Sequence, residues 1–307
     1  MSTKTKIIMF DNIAIIAGSG KLPFKIASHL KKLNAKFIIL AIKGFSEIKL
    51  YKNFKAYSLR MGQGLKAVRI LKENKIKKII FLGALDRPNL VDLKPDLWTL
   101  FKVFKFIFFK KTDDVILRNV VSIFENEGFK VIGLSYITNN YFLNKGIYGT
   151  NKIPKNDLEI INNLVKKTIQ WTTKDLGQSV ITSKNKILLK EDRRGTNNLI
   201  KKLNNNKFSK ISYIFIKVKK VNQDTRMDLP TFGLDTLKCL VKTNIKYIVL
   251  NADSTIIMDK KKTRLSQVIH YHFENCKFCD FRKFRQNFRK SNFFKNVDFQ
   301  KQNRWKF

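Results

Sequence analysis

The chain is poor in cysteine: only Cys239, Cys276 and Cys279 occur among its 307 residues. Three cysteines cannot build the paired framework that stabilises small secreted domains. The sequence also lacks an apolar run of the roughly 18 to 20 residues that cross a bilayer, and it begins without the pattern of a cleavable signal peptide. We therefore expect a cytoplasmic protein that does not span a membrane.

Acidic residues are scarce as well. The chain has 23 Asp and Glu against 62 Lys and Arg, which gives a formal net charge of +39. This charge attracts any polyanion, whether nucleic acid, lipid headgroups or a nucleotide diphosphate, and it does not choose among them. Lysine, asparagine, isoleucine and phenylalanine are abundant throughout, which a genome-wide codon bias explains equally well. Nucleic acid is therefore not expected as a specific partner.

The length and the apolar content favour a globular protein with two domains. Apolar residues make up 44% of the chain, and 307 residues are enough for two separate cores. Asparagine-rich turns at 139–140 and a loop over 146–154 mark a boundary. We predict an N-terminal domain over 1–137, a C-terminal domain over 138–262, and a basic, phenylalanine-rich tail over 263–307.

The first domain alternates short apolar runs with helical patterns. The run 13–17 ends in a glycine turn, and a helical pattern follows over 23–30. Further strands are predicted at 36–42, 78–83 and 129–134, with helices over 62–73 and up to residue 128. This alternation predicts an α/β fold with a Rossmann-like parallel sheet that is covered on both faces.

The glycine turn Gly18-Ser19-Gly20 lies between the first strand and the first helix. This arrangement directs backbone N–H groups and the positive end of a helix toward a phosphate. A dinucleotide fingerprint needs a third glycine, which is missing, so a merely tight turn is an equal alternative. Because no acidic residue ends the second strand to hold a ribose, a nicotinamide oxidoreductase is disfavoured.

The segment from Phe101 to Lys111 interleaves aromatic residues with lysines. Such a helix can rest in a bilayer interface, can stack on nucleic-acid bases, or can be an ordinary amphipathic helix with solvated lysines. Thr112-Asp113-Asp114 follows and opens the next helix. Helix capping is a sufficient explanation for these two acids, and a metal role is the alternative.

The second domain is also predicted to be α/β. Helices are expected over 156–174 and from Gly195-Thr196 onward, with strands at 179–182, 186–190, 211–218, 247–250 and 255–258. The order of these strands cannot be read from the pattern. The pattern therefore predicts a distinct α/β domain but not its topology.

The loop from Lys219 to Gly233 concentrates residues that suit chemistry. Asp224 and Asp228 supply oxygen ligands for a hard cation, and Arg226 supplies a fork of donors for a phosphate. The loop follows a buried strand, where open α/β folds place their sites. A charged surface turn that ends at a proline is the equal alternative.

The tail contains His270, His272, Cys276 and Cys279, which could in principle bind zinc. Their spacing matches no common zinc finger. We therefore expect an appended tail, and a metal site there only as the weaker alternative.

A set of short motifs, taken in order, resembles the LpxI-type UDP-2,3-diacylglucosamine pyrophosphatases of lipid A biosynthesis. The resemblance covers roughly residues 13–260. The motifs are Ile16 to Pro23, Gly62-Gln63, Arg87-Pro88-Asn89-Leu90, Leu93-Lys94-Pro95-Asp96, Asp113-Asp114 with Leu117-Arg118, Gly177-Gln178, Gly195-Thr196, Gln223-Asp224, and Asp228-Leu229-Pro230-Thr231 with Gly233. Each motif is weak alone, and the ordered set is fairly specific.

The resemblance implies a two-domain enzyme with its site between the domains. It implies hydrolysis of the diphosphate of UDP-2,3-diacylglucosamine to UMP and 2,3-diacylglucosamine 1-phosphate, with Mg²⁺ or Mn²⁺ assisting the attack of water on phosphorus. It also implies peripheral contact with the cytoplasmic side of the inner membrane, since the substrate carries two acyl chains, and it admits a homodimer.

The resemblance also implies roles for individual residues. Asp224, Asp228 and Arg226 are the expected catalytic residues, and the two aspartates are the expected metal ligands. The expected substrate-binding residues are Gly18, Ser19, Gly20, Lys21, Pro23, Gln178, Gly195, Thr196, Lys217, Gln223 and Thr231.

Three features depart from the family pattern. Family members tend to carry an acidic pair around the Gly-Thr motif, whereas Arg194 and Asn197 flank it here. Asp86 stands where a small or basic residue is more usual, and the tail replaces an ordinary C-terminal helix. If the missing acids contact metal or substrate, the alternative function is that of a basic nucleic-acid or membrane-surface binding protein that has lost the family activity.

Overall fold

The computed structural model describes residues 10–85, 93–107, 113–144, 146, 153–174, 176–192, 194–205, 212–221, 223–258 and 269–271. Several predictions lie outside these ranges. They are the Arg87 to Leu90 motif, Asp86, residues 108–111 of the aromatic and basic segment, Thr112, most of the tail with His272, Cys276 and Cys279, and the side chain of His270. The described chain forms two compact units, one of residues 1–139 with 222–229 and one of 140–221 with 230–307.

The first unit is built on a five-stranded parallel sheet, as predicted. Its strands are β1 (Ile13–Ala17), β2 (Phe37–Ile42), β3 (Ala56–Leu59), β4 (Lys78–Leu82) and β5 (Lys130–Val131), in the order β3-β2-β1-β4-β5. Its helices are α1 (Leu22–Lys32), α2 (Gly64–Glu73), α3 (Leu97–Ile107), α4 (Asp113–Asn126) and the short α5 (Leu134–Ile137). All five residues of β1 are buried, as expected of a central parallel strand that is covered on both faces.

Two details of the first unit differ from the predictions. The sequence pattern predicted no strand over 56–59, although β3 forms the edge of the sheet there. The strand predicted at 129–134 is only two residues long, and Leu134 already begins α5. Both errors fall at the rim of the sheet, where strands are short and only partly buried.

The second unit contains a mixed sheet. Its helices are α6 (Lys155–Thr172), α7 (Gly195–Asn205) and α8 (Leu234–Val241), and its strands are β6 (Ser179–Ser183), β7 (Lys186–Lys190), β8 (Tyr213–Lys217), β9 (Thr231–Phe232), β10 (Ile245–Asn251), β11 (Ile256–Ile257) and β12 (Ile269–Tyr271). The order is β12-β10-β8-β6-β7, with β9 and β11 paired separately. Strands β12, β10 and β8 are parallel, whereas β6 is antiparallel to both β8 and β7. The α/β class predicted for both halves is confirmed.

The loop over 222–229 joins the first unit, although its flanking residues belong to the second. The sequence pattern instead predicts that the loop belongs to the second domain, 138–262. The difference has a physical cause: Arg226 forms an ion pair with Glu125 on α4, with Nη1 2.8 Å from Oε1. None of the helices in the described ranges is both long and apolar enough to cross a bilayer.

Candidate functional site

The predicted glycine turn is held by the end of the neighbouring strand β4. The N–H of Ser19 donates to the carbonyl oxygen of Ala84 at 2.8 Å, and the N–H of Ala84 donates back at 3.2 Å. A Cβ at Gly18 would lie 2.5 Å from the Ala84 carbonyl oxygen. Gly18 is therefore required by close packing of two backbone segments.

Only part of this turn faces solvent. The side chain of Ser19 makes an internal hydrogen bond, because its hydroxyl also donates to the carbonyl oxygen of Ala84. Gly20, with φ of 92°, and Lys21 are exposed, and α1 begins at the next residue without an acidic residue in its first turn. Pro23 is buried in that first turn. Gly20 and Lys21 are thus the members of the predicted turn that can meet an anion at the helix N-terminus.

The catalytic loop predicted from sequence is organised by one arginine. Arg226 donates from Nε to Asp224 Oδ1 at 3.0 Å and from Nη2 to Oδ2 at 2.7 Å, while Nη1 donates to Glu125. The backbone N–H of Arg226 also donates to Asp224 Oδ1 at 2.9 Å. A guanidinium that is bound by two carboxylates has one orientation, so Arg226 is fixed rather than free to rotate.

This pairing shifts both titrating groups of the loop. The hydrogen bonds from Arg226 lower the pKa of Asp224, and the charge of Arg118 on α4 acts in the same direction. The same pair raises the pKa of Arg226, chiefly through the hydrogen bond to Asp224. Asp224 is therefore a carboxylate at neutral pH, with both of its oxygens occupied by Arg226.

The second aspartate of the loop is held differently. Gln223, which is buried, donates from Nε2 to Asp228 Oδ2 at 2.5 Å. The N–H of Asp228 closes a turn on the carbonyl oxygen of Asp224 at 3.0 Å. Asp228 Oδ1 has no protein donor among the described residues. The structure thus brings Asp224, Arg226, Asp228 and Gln223 together, as the sequence predicted.

The donor set fits a divalent cation that is shared with a substrate. No three His, Cys, Asp or Glu side chains converge as a metal site within the described residues. However, Asp228 keeps one carboxylate oxygen, Oδ1, that accepts no hydrogen bond from the described residues. Mg²⁺ is commonly held by one or two carboxylates together with substrate phosphates, and Asp228 offers such an oxygen.

A second polar cluster lies at one end of the sheet in the second unit. Lys217, at the end of β8, is only 5% exposed, and its Nζ donates to Thr196 Oγ1 at 2.9 Å. Thr196 donates to Glu191 Oε1 at 2.6 Å, and its hydroxyl lies 3.3 Å from that of Ser179. The antiparallel pairing of β6 with β8 brings Ser179 beside Lys217. The predicted residues Lys217 and Thr196 therefore belong to one hydrogen-bonded group.

The Gly177-Gln178 motif borders the same cluster. A Cβ at Gly177 would lie 2.9 Å from Glu191 Cβ, so only glycine fits there. The N–H of Gln178 donates to Glu191 Oε2 at 2.9 Å. Gln178 Oε1 is buried and has no hydrogen-bond partner within the described structure. This acceptor is available to a donor on a ligand.

The remaining predicted substrate-binding residues have separate positions. Gly195 is the first residue of α7 and has φ of 81°, which favours glycine. Thr231 is exposed at the start of β9, where it pairs with Ile256. No described hydrogen bond joins either residue to the Lys217 cluster.

The departure at Arg194 has a structural explanation. Arg194 donates to Asp192, with Nη2 2.7 Å from Oδ2, and Lys202 contacts the same oxygen at 2.8 Å. The hydrogen bond from Arg194, followed by the one from Lys202, lowers the pKa of Asp192. The basic residue therefore has an acidic partner two positions earlier, while Glu191 supplies the carboxylate next to Thr196.

Sequence reasoning missed Glu191, Ser179 and Glu125 as members of these clusters. Glu191 directly follows β7 and precedes a helix, a position at which a carboxylate is a reasonable candidate. Glu125 gave no signal, since nothing in the spacing links α4 to a loop 101 residues later.

Fold and site together define a two-unit α/β protein. One unit combines a parallel sheet with the glycine turn at 18–20 and the loop that contains Arg226. The other combines a mixed sheet with the hydrogen-bonded group around the buried Lys217. These groups suit an anionic ligand. The profile of the LpxI N-terminal domain matches residues 12–141, and that of the LpxI C-terminal domain matches residues 144–267. The chain belongs to the LpxI family, which confirms the resemblance.

The chain is also similar to a named relative. It is 24% identical over 257 residues to the UDP-2,3-diacylglucosamine pyrophosphatase LpxI of Caulobacter vibrioides. The similarity covers 81% of this chain and 91% of that protein. The two family-domain matches, 12–141 and 144–267, include the residues of both polar clusters.

Proposed function

We propose that this chain hydrolyses the diphosphate of UDP-2,3-diacylglucosamine to UMP and 2,3-diacylglucosamine 1-phosphate, a step of lipid A biosynthesis. The observation on which the proposal rests is the fixed arginine of the loop, found in a chain that matches both LpxI domains. A diphosphate repels an incoming nucleophile, so its hydrolysis needs cations and oriented donors.

Arg226 supplies one such cation. A guanidinium has five N–H groups, and three of them are bound to Asp224 and Glu125. Two remain for phosphate oxygens. Because the two carboxylates fix the plane of the guanidinium, these donors are oriented before the substrate arrives, which avoids an entropic cost on binding.

The proposal includes a divalent cation, Mg²⁺ or Mn²⁺. Asp228 would hold it, with Asp224 contributing charge while it retains Arg226. A bound cation of this kind polarises a phosphoryl oxygen and lowers the pKa of a coordinated water, which assists attack on phosphorus. Gln223 keeps Asp228 in position through its amide donor.

The second unit would contribute binding groups for the same class of substrate. Lys217 is a buried cation at the end of a strand, and Thr196 lies in the first turn of α7, whose N-terminus favours an anion. Gln178 offers a buried acceptor that suits a uracil N–H or a sugar hydroxyl. Lys21, Gly20, Gly195 and Thr231 complete the proposed binding set.

The substrate carries two acyl chains, so we propose that the protein works at the cytoplasmic surface of the inner membrane. Helix α3 supports this part of the proposal, since Leu97 and Phe101 are 74% and 80% exposed. These two residues lie four positions apart on one face of α3, so they present adjacent apolar side chains to a lipid surface.

The test is a product analysis with purified protein and UDP-2,3-diacylglucosamine in mixed micelles. We expect release of UMP and 2,3-diacylglucosamine 1-phosphate that stops on chelation and returns with Mg²⁺ or Mn²⁺. Asp228→Asn should lower turnover at least tenfold, whereas the exposed Asp253→Asn should leave it unchanged. Absence of both products with added Mg²⁺ would refute the proposal.

A further inference from the structure

The first unit contains a cavity that the proposed chemistry does not use. It has a volume of about 540 Å³, and its lining includes Arg60, which directly follows β3, and Gln63, at the start of α2. Four cationic side chains line it: Arg60, Lys66, Arg69 and Lys94. All four are exposed, and none forms a side-chain hydrogen bond or ion pair with the described residues.

The acidic residues of this cavity do not neutralise the four cations. Asp96 accepts from the N–H of Thr99 at 2.7 Å and from the N–H of Leu65 at 3.1 Å. Its charge is therefore directed at the N-termini of α3 and α2. Glu73, at the last position of α2, is the other acid in the lining. The cavity keeps a surplus of two positive charges.

The presence of two arginines is informative in this chain. Lysine occurs 50 times and arginine 12 times in the whole sequence. A bias toward lysine explains a basic surface, but it does not explain Arg60 and Arg69 on one cavity. Arginine differs from lysine in its planar fork, which binds a phosphate through two parallel hydrogen bonds. The pair favours a phosphate ligand.

Exposed apolar side chains lie in the lining of the cavity and in the segment that follows it. Leu65 belongs to the lining and is 40% exposed. Leu97 follows Asp96 directly, and Phe101 lies four residues later on the same face of α3. Exposed apolar side chains beside unpaired cations are the pattern of a protein that rests in the lipid interface. Nucleic acid would use the cations but not aliphatic side chains such as Leu65 and Leu97.

We propose that this surface, formed by Arg60, Lys66, Arg69, Lys94, Leu97 and Phe101, binds the phosphate headgroups of anionic phospholipids. We call it the headgroup surface. The inference deepens the proposed function, because it names the surface through which an enzyme of an acylated substrate would meet its membrane. It requires neither a metal nor the residues of the loop.

The test is sedimentation of the full chain with vesicles of phosphatidylcholine alone and of phosphatidylcholine with about 30% phosphatidylglycerol. A basic residue near an anionic surface contributes roughly 1 kcal/mol, about fivefold in affinity, so Arg60→Gln with Arg69→Gln should weaken binding to the anionic vesicles about 30-fold. Lys36→Gln with Lys55→Gln is the matched control. Those exposed lysines line a different cavity, at the amino ends of β2 and β3, and lose the same charge.

The control pair should change binding less than threefold. Phe101→Ser should weaken binding to the anionic vesicles as well, and it should not unfold the protein, because the ring is exposed. Equal loss in both double variants would show that only net charge matters and would overturn the proposal. Free inorganic phosphate that blocks vesicle binding at low millimolar concentration would instead indicate a soluble phosphate ligand.

Two further measurements separate this inference from others. Hydrolysis in detergent micelles should be unchanged in the Arg60→Gln, Arg69→Gln variant, so a failed enzyme assay and a failed vesicle assay are distinguishable. Affinity for a short single-stranded DNA should fall equally in the two double variants. A selective loss of DNA binding, with vesicle binding retained, would assign the surface to nucleic acid.

Discussion

At the scale of a residue, Asp224 determines the direction of Arg226. Replacing Asp224 with Asn removes the charge and one of the two acceptors that the guanidinium needs, while Glu125 still holds the opposite edge. We expect kcat/KM for UDP-2,3-diacylglucosamine to fall at least tenfold, which is about 1.4 kcal/mol of transition-state stabilisation. Steady-state kinetics with the folded variant would measure this loss.

The control for that experiment is Asp253→Asn, an exposed aspartate with φ of 55°, a conformation that Asn tolerates. The control should retain the parental kcat/KM. Equal activity of Asp224→Asn and the parent would mean that the orientation of Arg226 is not needed for turnover.

The same pair predicts how stability depends on pH. The pKa of Asp224 is lower in the folded state than the value of about 3.9 for an unfolded chain, mainly because of Arg226. As pH falls, Asp224 therefore binds a proton in the unfolded state before it does so in the folded state. The stabilisation from ionised Asp224 is complete above about pH 4 and is lost as pH falls through the pKa of the folded state. Urea unfolding at pH 3 to 6 should show a smaller acid loss in Asp224→Asn than in the parent.

A third residue, Thr196, links Lys217 and Glu191 in the buried cluster of the second unit. Its hydroxyl serves Lys217 as acceptor and Glu191 as donor. Thr196→Val keeps the shape and leaves both buried charges without that partner, so the free energy of unfolding should fall by about 1–3 kcal/mol. Thr196→Ser restores the hydroxyl and should recover most of the loss. Denaturant unfolding of the parent and of both variants would measure these free energies. A Thr196→Val variant as stable as the parent would contradict the structural role of this hydroxyl.

At the scale of an element, the turn after β1 depends on Gly18. A Cβ there meets a backbone carbonyl oxygen at 2.5 Å, and this oxygen cannot move without breaking the bridge between Ser19 and Ala84. Gly18→Ala should reduce the free energy of unfolding by about 1–3 kcal/mol. Gly20→Ala meets open space and should cost only about 1 kcal/mol for its positive φ. Thermal unfolding of both variants would test this order.

Elements with continuous apolar runs were the ones that sequence predicted well. The strands at 13–17 and 186–190 match their predicted bounds, and α1 and α6 lie within two residues of theirs. The strand β3 was missed because Ala-Tyr-Ser-Leu at a sheet edge is short and only partly buried, so it shows no clear period. β7 is an edge strand too, but its Ile187-Leu188-Leu189 run marks it in the sequence, whereas β3 has no such run.

The residues of the candidate site also divide into those that the local sequence pattern predicts and those that it does not. Asp224, Arg226 and Asp228 were predictable because they lie within one turn of chain, where spacing alone brings them together. Glu125 and Ser179 were not, because Glu125 reaches Arg226 through packing of elements that are distant in sequence and Ser179 reaches Lys217 through strand pairing. Strand order sets these contacts, and the pattern of one sequence does not contain it.

At the scale of the whole molecule, the charge of +39 opposes compaction. The Debye length shortens from about 10 Å at 0.1 M salt to about 3 Å at 1 M, so added NaCl should relieve repulsion among the many exposed lysines. We expect Tm to rise by several degrees between about 0.05 and 0.5 M NaCl. Calorimetry would measure it, and a constant or falling Tm would show that this repulsion does not limit stability.

The loop over 222–229 leaves its flanking residues to join the other unit, so the chain enters the first unit twice. A gene cut once, near residue 140, would therefore produce an N-terminal fragment without the arginine that Glu125 holds. Neither fragment contains both Glu125 and Arg226, so neither can form this ion pair without the other.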